Sequence, residues 1–202
     1  MPSASELARR LEGQRVVLRP IGDDAESLFE AGRDPEIWTY LPYGPYASVA
    51  EMRAALDEQA ASDDPIFFVV EVDGRALGIV SYLRITPEHQ VVEIGHIWFG
   101  TPLQRTTAAT EAIYLLARHV FDDLGWRRLE WKCNAENARS RRAADRFGFT
   151  FEGVFRQHQI VKGRNRDTAW YSIVDDEWPA IRAAFEEWLA GDQSRSLREL
   201  MP

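Results

Sequence analysis

Apolar residues fall along this chain in short β-rich runs and in longer runs at helical spacing. "RVVLRPI", residues 15–21, reads as a short strand stopped by Pro20 and Gly22. Asp23 or Asp24 caps a helix that runs into an aromatic, proline-rich loop, "IWTYLPYGPY". Ser48, with Glu51 three positions on, has the form of a capping box and opens a helix ending near Ser62. "IFFVVEV" and "ALGIVSYLRI" predict two strands joined by Asp73-Gly74, a dipeptide that favours a tight hairpin. "VVEIGHIWF", residues 91–99, predicts a further strand. The longest helix is expected from about Leu103 to Leu124, with Ala109, Ile113, Leu116, Val120 and Leu124 at helical spacing and Gly125 as its stop. "RLEWKC" predicts a strand and "SRRAADRF" a short helix closed by Gly148. "TFEGVFRQHQIV" and "TAWYSIV" predict two strands joined by a basic, solvated turn, "KGRNRD". A last helix, "DEWPAIRAAFEEWLA", gathers Trp178, Ile181, Phe185 and Trp188 on one side, for its own core or for a homodimer.

This order breaks the strand–helix alternation in its middle. It predicts an α/β (α+β) architecture: a mixed, mostly antiparallel sheet of about seven strands with helices on both faces, not a doubly wound sheet. Residues 13–191 form one expected domain, with residues 1–12 as a polar lead-in and 192–202 as a polar, mobile tail.

Composition narrows the function. A formal net charge of -8 argues against nucleic acid as an obligate partner. The single cysteine, Cys133, allows no intrachain disulfide and favours a reducing, cytoplasmic setting. The N-terminal "MPSASELARR" lacks the apolar stretch of a signal peptide, and no run approaches the roughly 18 apolar residues of a membrane span, so no membrane partner is expected. No metal-ligand spacing is present. A P-loop is excluded because no Gly-Lys-Ser/Thr follows the small-residue loop.

That loop carries the strongest chemical signal. In "LQRTTAATEA", residues 103–112, five Thr and Ala residues stand in a row between a strand and a helix. The first amides of a helix have no partner within it and carry the positive end of its dipole, so an anion placed there accepts several N–H bonds. Small side chains let it approach. The stretch resembles the Q-G-K-G-x-A-T-E-A loop of the GNAT superfamily of acyl-CoA-dependent N-acetyltransferases. "GQRVVLRPI", "EIGHIWF" and "NAENARSRRAADRFGFTFEGVFR" resemble, in order, the opening strand, the fourth strand and the N-x-x-N-x-x-S region of its RimJ/RimL branch. Together these motifs cover about residues 13–175.

The resemblance implies a sheet splayed between strands 4 and 5, with acetyl-CoA as co-substrate and an amine acceptor, either a protein N-terminus or a small molecule. It lays the coenzyme pyrophosphate over Gln104, Arg105, Thr106, Thr107, Ala108, Ala109 and Thr110. Backbone groups of Ile97, Trp98 and Phe99 would take the pantetheine arm, and one N–H can polarise the thioester carbonyl. Asn137 would bond pantetheine, and Arg142 can meet a phosphate. Arg105 and Thr107 stand where relatives usually carry glycine. A left-handed conformation at Thr107 costs about 1–2 kcal/mol, so either the loop keeps ordinary helical dihedrals or the cofactor sits differently.

For acid–base work, the amine must lose a proton before it attacks. A free α-amino group, with a pKa of about 8, needs little help. Glu93, His96 and His158 are the candidate bases; the resemblance implies a carboxylate at about the Gln159 position in some relatives, but Gln cannot be a base, which raises His158. Ser140 is the candidate acid for the thiolate or else a helix cap, because the tyrosine used by many relatives is replaced by Ala144. Trp38, Tyr40 and Tyr43 form the expected acceptor wall or close a core edge. Cys133 lies within a strand with no nearby base and is a poor nucleophile candidate. A module that binds acyl-CoA without catalysis is the other reading of the same loop.

Overall fold

A computed structural model describes residues 4–191 and 193–202. The strands are β1 (Leu11–Glu12), β2 (Val17–Arg19), β3 (Ile66–Val72), β4 (Arg75–Thr86), β5 (Val91–Phe99), β6 (Arg128–Asn134), β7 (Thr150–Val161) and β8 (Arg164–Val174). The helices are α1 (Ala25–Ala31), α2 (Val49–Ala60), α3 (Thr107–Arg118), α4 (Ala138–Arg146), α5 (Trp178–Ala190) and α6 (Leu197–Leu200). All strands join one sheet in the order β1-β2-β3-β4-β5-β6-β8-β7, parallel only between β5 and β6. The strand beyond the expected seven is β1, whose two residues pair with Val17 and Leu18.

Sheet and helices fit as the apolar pattern requires. Ala76 to Leu83 of β4 are all buried, as in a strand covered on both faces. On one face, Tyr82 donates to the Leu116 carbonyl of α3 at 2.7 Å. On the other, Trp98, which pairs beside Ile79, packs on Trp38 with ring centroids 4.9 Å apart. Asp73 and Gly74 both take positive φ, the backbone of a two-residue hairpin turn. Ser48 caps α2 by accepting from the Glu51 amide at 3.2 Å, but the Glu51 carboxylate returns to Ala47 N rather than to Ser48 N.

Two features of β5 shape the site. Its pairing with β6 stops after Ile94↔Trp131, although β5 runs on to Phe99 and β6 to Asn134. On the other edge, the register with β4 slips between Ile79↔Trp98 and Ser81↔Gly95, which inserts one extra residue into β5. His96 lies in this bulge with φ 49°. The bulge bends β5 and parts it from β6. This is the splay expected between strands 4 and 5, counted one higher because β1 precedes them.

Three expectations about chain segments change. The long helix begins at Thr107, not Leu103, because residues 101–106 form turns, and after Arg118 it widens into a π-turn, His119–Asp123. The β7–β8 turn is only Lys162-Gly163, and Arg164 to Asp167 already belong to β8. The flanking segments pack on the main core: Leu7 and Leu197 are fully buried, and Leu11 nearly so. Single leucines in polar stretches are enough to anchor both. Glu111 of α3 ties the start of the chain by accepting from Gln14 N at 2.7 Å and Arg15 N at 2.8 Å. Trp178 stacks on Phe121, and Trp188 lies against Arg146 at 5.0 Å, both buried within the chain's own core. Among the described residues no helix is long and apolar enough to cross a membrane, and no group of His, Cys, Asp and Glu could hold a metal ion.

Candidate active site

The turn leading into α3 leaves main-chain donors open. Gly100 starts it, with its N–H on the Leu77 carbonyl; a Cβ there would lie 2.7 Å from the Ala31 carbonyl, so only glycine fits. Leu103 N and Gln104 N both turn back to Gly100 O, and Thr106 N to Leu103 O. The left-handed residue is Arg105, at φ 62°, whereas Thr107 is an ordinary first residue of the helix. Of the two alternatives at Thr107, the loop therefore keeps ordinary helical dihedrals there. Thr106 is the cap: its hydroxyl accepts from Ala109 N at 3.1 Å and donates to Leu103 O at 2.7 Å. Thr110 N bonds Thr106 O, and the Thr110 hydroxyl accepts from Arg146 on the buried side of the helix.

Of the residues expected to hold pyrophosphate, Ala109 and Thr110 thus have their amides engaged, and the Thr106 hydroxyl is taken. The amides of Arg105, Thr107 and Ala108 have no acceptor among the described residues. Neither do the side chains of Thr107, Arg105 and Arg142 have a partner there. Gln104 donates its side-chain amide to the Phe99 carbonyl at 2.8 Å and so orders the end of the splayed strand next to Ile97 and Trp98.

Across the splay, α4 begins beside the end of β6. Asn137, not Ser140, is its cap, accepting from Ser140 N at 3.0 Å. This leaves the Asn137 NH2 group without a partner among the described residues. The Ser140 hydroxyl accepts from the Trp131 indole at 3.0 Å and keeps its own proton to donate. Burial pushes the Cys133 thiol up, against a hydrogen bond with Ser140, so Cys133 stays protonated and is no nucleophile.

The face of the sheet toward the α1–α2 loop is ionic at its base. Glu93, 3% exposed, receives Arg84 at 2.5 Å and Lys132 at 3.0 Å, both on Oε2. Lys132 also meets Glu130 and lies 3.9 Å over the Trp170 ring. Arg128 meets Glu130 and Glu152. Burial raises Glu130, but its bonds to Lys132 and Arg128 outweigh this and hold it below the usual carboxylate range. Glu93 Oε1 accepts no hydrogen bond among the described residues, and the space over Gly95 beside it is filled by Leu83, whose Cδ2 lies 2.8 Å from where a Cβ would stand.

Within the bulge, His96 stacks on Tyr43 with planes 4° apart, and its Nδ1 is 3.2 Å from the Tyr43 hydroxyl. Burial, with Arg84 and Arg166 nearby, lowers His96 to about 4. Burial pushes the Tyr43 phenol far up. At neutral pH Tyr43 therefore donates to a neutral His96, whose proton sits on Nε2, and His96 is a poor base. Trp38 does not line the cleft: it is 1% exposed, donates to Gly32 O and backs the wall under Gly44. Tyr40 reaches the Glu136 carbonyl at 3.3 Å. His158 lies in a bulge of β7 with its Nδ1 3.0 Å from the Thr168 hydroxyl, near Trp170, and its Nε2 has no partner among the described residues. The tip of this hairpin is not free in solvent. The Lys162 ammonium donates to the carbonyls of Trp38, Tyr43 and Gly44 and latches the hairpin to the α1–α2 loop. Nothing local in "KGRNRD" signals a contact 124 residues away.

A mostly antiparallel sheet with one strand parted from its neighbour, and open main-chain donors at the helix start beside it, is the fold of the acyl-CoA-dependent acetyltransferases. The chain belongs to the GNAT acetyltransferase family: the acetyltransferase (GNAT) domain matches residues 15–150. It is an acetyl-CoA-dependent N-acetyltransferase of RimJ/RimL-like type. A solved GCN5-related N-acetyltransferase from Brucella melitensis is 45% identical, covers 96% of this chain and 94% of its own, and superposes with a TM-score of 0.93. The uncharacterized N-acetyltransferase p20 of Bacillus licheniformis is 26% identical over 82% of this chain and 96% of its own. The ribosomal-protein-serine acetyltransferase of Escherichia coli K12 is 28% identical over 54% of this chain and 60% of its own.

Proposed function

We propose that the protein moves the acetyl group of acetyl-CoA directly onto a primary amine in a ternary complex, with no covalent intermediate on the enzyme. The observation that carries this reading is the end of β5–β6 pairing at Ile94↔Trp131, close in sequence to three open amides at the start of α3. The amides of Arg105, Thr107 and Ala108 hold the pyrophosphate, with the Thr107 hydroxyl and the Arg105 and Arg142 guanidiniums beside them. Ile97, Trp98 and Phe99 offer backbone groups to pantetheine, and the free Asn137 amide donates to it. Acetyl-CoA supplies an acyl carbon with a thiol leaving group.

The enzyme's own residues move protons. Glu93 Oε1 takes the proton of the incoming ammonium through a water, while Arg84 and Lys132 hold Oε2. His158 Nε2, at the rim, is the second acceptor of that proton. The Ser140 hydroxyl, held by Trp131, hydrogen-bonds the departing thiolate and hands it a proton as the C–S bond breaks, regaining one from the nitrogen of the tetrahedral adduct, so that the hydroxyl ends as it began. Tyr40 and Tyr43 flank the amine, and Trp38 supports them from behind. The likeness to a ribosomal-protein-serine acetyltransferase favours a protein N-terminus as acceptor, and a small amine uses the same groups.

Calorimetry with CoA, followed by thiol release with peptide N-termini and small amines, tests the reading. Binding and amine-dependent thiol release are expected, and Ser140→Ala should lower kcat by about a hundredfold or more without changing CoA affinity. Absence of CoA binding at millimolar ligand overturns it.

A further inference from the structure

On the cleft face of β8, Arg166 stands two residues before Thr168, which holds His158, and four before Trp170, which pairs across to Lys132. It is half-buried, and its Nε is fully shielded from solvent without a hydrogen-bond partner. The guanidinium makes no ion pair or side-chain hydrogen bond among the described residues. Every other cation in this network is matched: Arg84, Lys132 and Arg128 stand against Glu93, Glu130 and Glu152. Arg166 is the surplus charge.

Two more donors on this side lack acceptors. The Trp170 indole N–H is buried and unpaired. His96, which feels Arg166 and accepts the Tyr43 hydrogen bond at Nδ1, keeps Nε2–H without an acceptor among the described residues. Apart from Glu93 Oε1 and His158 Nε2, which take the amine proton, the open polar groups on this wall are donors, in a chain whose overall charge is -8. An ionised carboxylate or phosphate only accepts hydrogen bonds and matches the guanidinium fork. A polyamine would bring further cations against an unmatched one.

We propose that Arg166 grips an anionic group of the acceptor, so that the preferred amines carry a carboxylate or a phosphate near the reacting nitrogen. This deepens the acetyltransferase reading and rests on it. Arg166 acts as a specificity residue and takes no part in proton transfer.

Matched acceptor pairs test it: an α-amino acid against its amide, and an O-phosphorylated amino alcohol against the free alcohol, each with a polyamine for comparison. The anionic member of at least one pair should have a kcat/KM about tenfold or more higher, a charge-assisted contact being worth that much. Whichever pair shows the gap identifies carboxylate or phosphate as the source. Arg166→Met should erase the gap through KM, leave the neutral member, CoA affinity and Tm unchanged, and Arg166→Lys should restore part of it. The proposal is overturned if neutral amines or polyamines react equally well. It is also overturned if CoA binds but no anionic amine is acetylated, or if Arg166→Met lowers kcat alike for both members of a pair. Failure of CoA to bind at all sinks the acetyltransferase reading instead.

Discussion

Replacing Thr107 by proline separates binding from folding at a single atom. Thr107 is the first residue of α3, and its amide bonds nothing among the described residues. Proline is favoured at this helix position because the missing N–H is one the helix never uses. Thr106 before it, at φ -92° and ψ 164°, already has the extended backbone that a following proline demands. The variant should therefore unfold within about 2 °C of the wild type. Its ligand loses one amide hydrogen bond to a charged group, about 1.5–3 kcal/mol, or roughly 10–150-fold in Kd. Thr107→Ala keeps the amide, drops only the hydroxyl and serves as the control. Calorimetry with CoA and a thermal melt on the three proteins measure both quantities. If Thr107→Pro binds CoA as tightly as the wild type, the pyrophosphate does not rest on this helix start.

Glu93→Gln keeps the shape but breaks a buried pair, leaving Lys132, 4% exposed, with Glu130 alone; a loss of about 3 kcal/mol is expected in urea unfolding. His96 titrates at about 4 in the native state against an ordinary 6.5, so the unfolded chain takes up that proton first. Its contribution to stability is intact above pH 6.5 and fades as pH falls toward 4, by up to about 3 kcal/mol, a slope that His96→Gln should remove from urea midpoints measured across that range. Lys162→Met frees the hairpin tip from three carbonyls. Acceptor KM should rise about 5- to 30-fold, for about 1–2 kcal/mol lost, and unchanged KM would mean that the latch has no part in acceptor binding.

What could be read from the sequence was what lies within a few residues of itself. The Asp73-Gly74 turn, the Ser48 cap and the small-residue loop before α3 all signal through neighbours. Even there, side-chain competition misled: Asn137 takes the cap for which Ser140 was a candidate, and the positive φ of the loop falls on Arg105, while Thr107 keeps the ordinary dihedrals that were one of its two alternatives. Long-range pairings left no trace. Lys162 meets Trp38 across 124 residues, and the burial of Trp38 follows from a ring packed over Gly44. Leu7 and Leu197 are buried although the segments around them are polar overall. Arg166 gives no signal in sequence because an arginine in a basic stretch looks solvated; only the missing carboxylate beside its buried Nε singles it out.

In the proposed binding mode the coenzyme is gripped at residues 105–108 by peptide N–H groups, which every amino acid but proline carries alike. Mutation can therefore exchange the side chains of that turn with little effect on the grip, which is how "RTTA" can stand where kindred proteins keep glycines. The opposite wall consists of side chains on a loop and a hairpin, where each replacement alters what fits. Descendants of this chain can change their acceptor by substitutions in those two surface segments while the coenzyme end is inherited intact.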